Sequence, residues 1–280
     1  MKQKFVFFML AAIVAAGCSS SEEKTVLNGS AVETSVLLTF SPYEVDAMTR
    51  TATSISNYCT HLDVWITDGE STTAVHQSSS DSDFGSLSVT LDKTKTYTLY
   101  AVAHKCASDA TLTDGVITFP DDKVTHSMLY TTTFSPATTT SLSCEMQRIV
   151  AMFRLETTDA VPDECQKIRF TITDVFDRWS VTAGGTHQVN RVSTVAITST
   201  ANDGTVAISI YAIATDAQTL HTVTAEALTE SDDVIQSRVF ENVPLRNGYK
   251  TTYRGTFFTD TDMSMSFTCD DWNEYDTINF

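Results

Sequence analysis

Residues 168–172 read IRFTI and residues 206–210 read VAISI, and in both stretches apolar and polar side chains alternate strictly. Alternation with a period of two is typical of a β-strand with one face in a core, because successive side chains point to opposite faces of a sheet. The same pattern recurs in most apolar segments of the 280-residue chain. It predicts an all-β protein with little helix.

Further strands are predicted at residues 36–40, 62–67, 87–91, 97–103, 126–134, 148–155, 195–200, 221–225, 235–240, 249–258 and 263–268. Pairs typical of tight turns lie between them, at Asp68-Gly69, Asp114-Gly115, Gly184-Gly185, Asp203-Gly204 and Asn247-Gly248. Many strands separated by such turns favour β-sandwiches. A short helix is expected only within residues 52–62.

The length of the chain favours two domains, since domains cluster at roughly 100–150 residues. The least patterned stretch near the middle is residues 135–141, and the strongly strand-like stretch 148–155 follows it. We therefore predict an N-terminal β-sandwich domain at residues 35–143 and a C-terminal β-sandwich domain at residues 144–280.

The N-terminus has the features of an export signal. Lys2 and Lys4 precede an apolar run over residues 5–16, and Gly17-Cys18 follows it. The run is shorter than the roughly 20 apolar residues of a membrane-spanning helix. We predict a signal peptide at residues 1–17, lipidation of Cys18 by acyl chains such as palmitate, and a lipidated tether at residues 18–34. The alternative is a secreted protein in which Cys18 carries no lipid.

The charge of the chain argues against nucleic acid as a partner. The formal net charge is −17, and loss of residues 1–17 would remove two lysines and no acid, giving −19. Such a surface repels phosphate backbones and keeps an exposed protein soluble. The cysteines after Cys18 are odd in number and lack the spacing of a zinc or redox motif, which favours small buried thiols; they are Cys59, Cys106, Cys144, Cys165 and Cys269.

No motif for catalysis, a cofactor or a metal stands out. The six histidines are scattered without ligand spacing, and no nucleophile elbow, phosphate loop or HExxH occurs. We therefore predict a protein that is not an enzyme and binds neither cofactor nor metal. Single tryptophans at strand spacing usually belong to the core, but Trp65, Trp179 and Trp272 leave a glycan-binding surface lipoprotein as an alternative.

Taken in order, several motifs of the chain resemble the fimbrillin family, the lipoprotein subunits of type V pili in Gram-negative bacteria and their related anchor subunits. The motifs are the lipoprotein signal, VLLTF at 36–40, Arg50 within AMTRTA at 47–52, LDVWITDG at 62–69, RIVAMFRL at 148–155, RNGY at 246–249, RGTFF at 254–258 and Trp272. The resemblance implies two tandem transthyretin-like β-sandwich domains after a lipoprotein signal peptide. It also implies a fimbrial subunit at the outer membrane, exposed on the cell surface, that assembles with other fimbrial subunits for adhesion.

The resemblance further implies assembly by β-strand exchange. In fimbrillins an arginine-specific protease releases the first strand, and a cut between Arg50 and Thr51 would release residues 36–40 with the lipid anchor. Anchor subunits keep both, and Arg50 is then an ordinary surface arginine. Residues 263–268 are either a donor strand for another subunit or the last strand of their own domain. The short tail after them favours an anchor or accessory subunit over a stalk subunit.

Overall fold

The computed structural model describes residues 32–43, 54–259 and 265–271. These residues form strands, loops and two short 3-10 helices, Ile55–Asn57 and Pro120–Asp122. Within them, no helix has the length and apolar character needed to cross a membrane. The prediction of an all-β protein with little helix is confirmed.

In chain order the strands are β1 (Glu33–Pro42), β2 (His61–Thr67), β3 (Thr72–Ser78), β4 (Ser86–Asp92), β5 (Tyr97–His104), β6 (Thr111–Thr113), β7 (Val116–Thr118), β8 (Ser127–Phe134), β9 (Ser141–Arg148), β10 (Ala151–Thr157), β11 (Lys167–Ser180), β12 (Gly184–Ala196), β13 (Ala207–Ala212), β14 (Thr219–Leu228), β15 (Val234–Leu245), β16 (Tyr249–Gly255) and β17 (Met265–Asp271).

The N-terminal lobe is a seven-stranded sheet in the order β3-β2-β5-β8-β9-β1-β4. Strand β9 pairs with β1 along most of its length and with β8 only at Gln147 and Arg148. The sheet therefore has two leaves that share β9. Buried side chains from both leaves pack into one core, among them Val36 and Leu38 of β1 and Leu62 and Leu99 of the other leaf.

The C-terminal lobe packs two sheets against each other. One sheet has the order β13-β10-β16-β17, and the other has the order β15-β14-β11, with β12 on the free side of β11. Their inner faces enclose a second core that includes Phe153, Phe170, Phe240 and Tyr253. The β6–β7 hairpin pairs with the end of β11 at Arg178–Ser180 and so extends this sheet.

A third core joins the two lobes. Trp65, Val102 and Leu129 of the N-terminal sheet pack there with Ile117 of β7 and Trp179 of β11. As a result β2 and most of β5 are buried on both faces. The strands predicted at 62–67 and 97–103 are confirmed as β2 and β5, but both are buried on two faces instead of one, so their sequences depart from simple alternation.

The strand predicted at 148–155 is two strands. Strand β9 ends at Arg148 and β10 begins at Ala151, because the chain crosses from one lobe to the other through Ile149 and Val150, both buried in the third core. The backbone N–H of Ile149 donates to Ser127, and the carbonyl of Val150 accepts from Gly248. The predicted domain boundary at 143/144 falls inside β9; the division into two domains stays a prediction.

Other predicted elements are displaced. Of the strand expected at 195–200, only residues 195 and 196 are in a strand, as the end of β12, and residues 197–200 are not; β1 begins at Glu33, two residues before the predicted domain. The helix expected within residues 52–62 is the single turn Ile55–Asn57, whose N-terminus is capped by Ser54. Strands missed by the sequence pattern are β3, β6, β7 and most of β9 and β12.

Candidate strand-exchange site

Strand β1 is built into the middle of its leaf. It pairs antiparallel with β4 over Glu33–Thr39 and parallel with β9 over Leu37–Pro42. Its inner side chains Val36, Leu38 and Phe40 are fully or almost fully buried in the core of the lobe. Removal of β1 would open this core and leave unpaired backbone groups on both neighbours, which is the condition for uptake of a replacement strand.

Strand β17 is an edge strand. Among the described residues it pairs only with β16, in an antiparallel register that sets Thr251 opposite Cys269 and Tyr253 opposite Phe267. The ring of Phe267 stacks on Tyr253 with 5.4 Å between centroids, yet 56% of Phe267 remains exposed. The strand therefore contributes much less burial than β1 while completing the backbone pairing of β16.

A clamp of opposite charges fixes the backbone just before β17. The carboxylate of Asp159 accepts hydrogen bonds from the N–H groups of Phe257, Phe258 and Thr259 at 2.7–2.9 Å. The Arg238 guanidinium donates to the carbonyl oxygens of Phe257 and Thr259. Hydrogen bonds to charged groups are stronger than those between neutral groups. The chain is thus held firmly up to Thr259, at the approach to the exposed strand.

The thiols differ in accessibility along this site. Cys59, Cys106, Cys144 and Cys165 are buried, whereas Cys269 on β17 is partly exposed. Burial raises the pKa of the Cys144 thiol to about 12 and also raises the pKa values of Cys59 and Cys165. All five are free thiols in the structure, with no disulfide among the described residues. Cys269 is therefore the thiol of this part of the chain that a reagent reaches most easily.

Three residues singled out by the sequence lie outside the described residues. They are Cys18, Arg50 and Thr51, so lipidation and proteolytic processing stay predictions. Of the tryptophans considered for sugar stacking, Trp65 and Trp179 are only 4% and 9% exposed and belong to the third core. These two offer no surface for a glycan, and Trp272 lies outside the described residues.

Sequence reasoning did not find Asp159 and Arg238. Both look like ordinary loop or strand-surface charges in the sequence. Asp159 is 98–100 positions from the backbone segment that it contacts, and Arg238 is 19–21 positions from it, so the fold of the C-terminal lobe brings them together. No local pattern signals that contact. The edge position of β17 could not be predicted from the sequence either, because it depends on the strand order of the whole sheet.

No family model and no curated protein matches the sequence. Among solved structures, a candidate adhesin from Bacteroides thetaiotaomicron aligns with a TM-score of 0.52 and 11% identity, over 85% of this chain and 96% of its own. A candidate cell adhesion protein from Bacteroides ovatus aligns with a TM-score of 0.51 and 15% identity, over 85% of this chain and 98% of its own. The fimbrial anchor protein Mfa2 from Porphyromonas gingivalis gives a TM-score of 0.46 and 10% identity, over 85% of this chain and 97% of its own. The chain has the fold of the two Bacteroides proteins.

Proposed function

We propose that the protein is a lipid-anchored fimbrial subunit on the cell surface, of the anchor or accessory kind, that joins other subunits by β-strand exchange and serves adhesion. The observation that carries this proposal is β17, an exposed strand that pairs on one side only among the residues that the structure describes. Two further points support it. Residues 1–17 have the residue pattern expected of a lipoprotein signal peptide and are followed by Cys18, and the fold is that of candidate adhesins.

The exchange site is the edge of β16. When β17 leaves, the N–H and C=O groups of β16 on that side lose their partners, and Tyr253 loses the ring stacked on it. An extended segment of another subunit can restore both, because main-chain hydrogen bonds supply affinity and side-chain pockets supply specificity. The cost of releasing β17 is small, since its described side chains are exposed or only partly buried.

In a subunit of the anchor or accessory kind, β1 stays in its place in the N-terminal lobe. Val36 and Leu38 are completely buried, and β1 has partners on both edges. A subunit that keeps this strand also keeps the tether and lipid that precede it. Assembly then proceeds through the C-terminal lobe, while the N-terminal lobe remains closed.

Replacing Cys18 by alanine is expected to move the protein from the membrane fraction to the soluble fraction. Acyl chains contribute about 0.8 kcal/mol per buried methylene, and the substitution removes their attachment point. Fractionation of cells followed by intact mass measurement tests this. A variant that stays in the membrane fraction would refute the lipid anchor.

Strand exchange is tested by a crosslink between two copies of the full chain, both carrying Cys269→Ser. One copy carries Thr252→Cys on β16 and the other Thr268→Cys on β17; these residues are directly opposite each other in the register and lie on the outer face of the sheet. Facing residues on paired strands have Cβ atoms roughly 5 Å apart, within reach of a short bis-maleimide. We expect an intermolecular 252–268 product once the copies are mixed.

A matched control uses Thr224→Cys on β14 in place of Thr252→Cys. Thr224 lies in the other sheet of the same lobe and pairs with β11 and β15, not with β17. It should give no product with Thr268→Cys. A single chain carrying both Thr252→Cys and Thr268→Cys should crosslink internally; if it does while the mixed copies give no product, β17 does not exchange.

A further inference from the structure

A cluster of one buried and two exposed polar side chains lies on the N-terminal sheet, away from the strand-exchange site. The β2–β3 hairpin sets Asp63 directly opposite His76. The loop after β5 brings Asp109 to the same place, with its Oδ2 3.9 Å from Nδ1 of His76. Nδ1 of His76 lies 2.6 Å from Oδ1 of Asp63. One imidazole thus lies between two carboxylates that come from different parts of the chain.

Asp63 is held in place through Oδ2, the carboxylate oxygen that does not contact His76. Its side chain is completely buried, and its Oδ2 accepts hydrogen bonds from Nε2–H of His104 at 2.7 Å and from the N–H of Ala110 at 2.8 Å. Nδ1 of His104 accepts from the N–H of Cys106, so the proton of this ring is on Nε2 and points at Asp63. Oδ1 is left facing His76. Such outer hydrogen bonds to a carboxylate are typical of metal ligands.

We propose that Oδ1 of Asp63, Nδ1 of His76 and Oδ2 of Asp109 bind a divalent transition-metal ion of the zinc class. The three atoms lie within 4.8 Å of one another. Two carboxylates and one neutral imidazole balance the charge of the ion, and the imidazole nitrogen favours zinc-class ions over calcium or magnesium.

The three ligand atoms lie within 4.8 Å of one another, so metal binding requires separations to change by up to about 1.5 Å. Zinc bonds of about 2.0–2.2 Å in a tetrahedral site place ligand atoms roughly 3.3 Å apart. The 2.6 Å contact must therefore lengthen and the 3.9 Å contact must shorten, each by less than about 1 Å. His76 is on the edge strand β3 and its side chain is 38% exposed, while that of Asp109 is 51% exposed, so both can adjust. The ion takes the place of the Nδ1 proton of His76, and the bound ring is the neutral tautomer with its proton on Nε2, so that the imidazole remains uncharged.

The site has three protein ligands and one open position. The partly exposed side chains of His76 and Asp109 place that position towards solvent. A water molecule or a donor group from another molecule can complete the coordination there. The sequence pattern could have indicated part of this site, because a hairpin turning at Asp68–Ser71 necessarily pairs residues 63 and 76. Asp109 could not have been predicted, since it comes from a loop.

The test is zinc binding by the full chain, purified in detergent and stripped with a chelator. Equilibrium dialysis against Zn²⁺ with elemental analysis should give one tight site per chain. His76→Ala and Asp109→Asn should each weaken this site by at least roughly tenfold. Asp109→Asn is the safer variant for folding because its side chain is half exposed.

The matched control is His187→Asn. Nδ1 of His187 lies 2.8 Å from Oδ1 of Asp177, which reproduces the histidine–aspartate pair, but Arg178 lies 3.7 Å from the same oxygen and opposes a cation. His187 has a φ of 59°, a conformation that asparagine tolerates. This variant should keep the tight site. The proposal is overturned if the unmodified chain binds no zinc beyond the level of His76→Ala, or if His187→Asn removes the site while Asp109→Asn retains it.

Discussion

Replacing Phe153 by alanine is expected to lower the free energy of unfolding by about 3–5 kcal/mol. Phe153 is 1% exposed and lies at the centre of the C-terminal core. Its ring is 5.7–5.9 Å from the rings of Phe170, Phe240 and Tyr253. Truncation removes these contacts and leaves a cavity between two sheets that cannot easily collapse onto it. Urea unfolding followed by circular dichroism measures the loss.

The control for this prediction is Phe267→Ala on β17. It removes the same type of side chain, but Phe267 is 56% exposed. Among the described ring pairs, its ring contacts that of Tyr253 alone. The expected cost is below about 1 kcal/mol, since little apolar area returns to water. Comparable losses from the two variants would contradict the view that β17 adds little to the stability of its lobe.

Acidification is expected to destabilise the protein through His126. This residue is 5% exposed, stacks on Tyr211 and accepts a hydrogen bond at Nε2 from the Arg148 guanidinium. Burial first, then the positive charges of Arg148 and Lys105, lowers the pKa of His126 to about 3. Below its ordinary pKa of about 6.5 the unfolded chain takes up a proton that the folded chain does not. The free energy of unfolding therefore falls as the pH drops from about 6.5 towards 3.

One such group lowers the free energy of unfolding by at most about 1.4 kcal/mol for each pH unit of acidification. Between about pH 6.5 and about pH 4.5 the loss is therefore about 2–3 kcal/mol. Other groups titrate in this range, and the informative quantity is the difference in slope between the unmodified chain and His126→Gln. Glutamine can still accept a hydrogen bond from Arg148 but does not titrate. Urea unfolding at several pH values should show a shallower slope for the variant; equal slopes would rule out His126 as the acid-sensitive group.

The sequence pattern predicts the strands that have one buried and one solvent face. Strands β1, β4, β11 and β14 alternate clearly because each covers one side of a core. Strand β12 is exposed or half exposed along its whole length and has no apolar stripe to reveal it. The third core escapes prediction for the opposite reason, since residues such as Trp65 and Val102 look like ordinary core residues of one sandwich.

The candidate sites also contain features that the sequence predicts and features that it does not. A strand over residues 263–268 is visible from alternation alone, but its edge position follows from the order of four strands that are far apart in the chain. Asp63 and His76 are related by the register of one hairpin, whose turn motif Asp68-Gly69 is visible in the sequence although its second strand, β3, is not predicted. Asp159 and Asp109 lie in loops, and their partners are decided by how the chain folds within each lobe. Residues in regular pairs can be predicted from the sequence, whereas residues placed by loops cannot.

The short connection between the lobes at Ile149 and Val150 affects how the protein responds to mechanical tension. These two buried residues connect β9 to β10, and the β6–β7 hairpin from the N-terminal half is paired into the C-terminal sheet. Tension entering through β1 at one end and leaving through the C-terminal lobe at the other meets no extensible linker in the described part of the chain. It loads hydrogen-bonded strands and the shared core directly. A fibre built from such units would be stiff, and it would lengthen under load by rupture of strands and not by swinging of lobes.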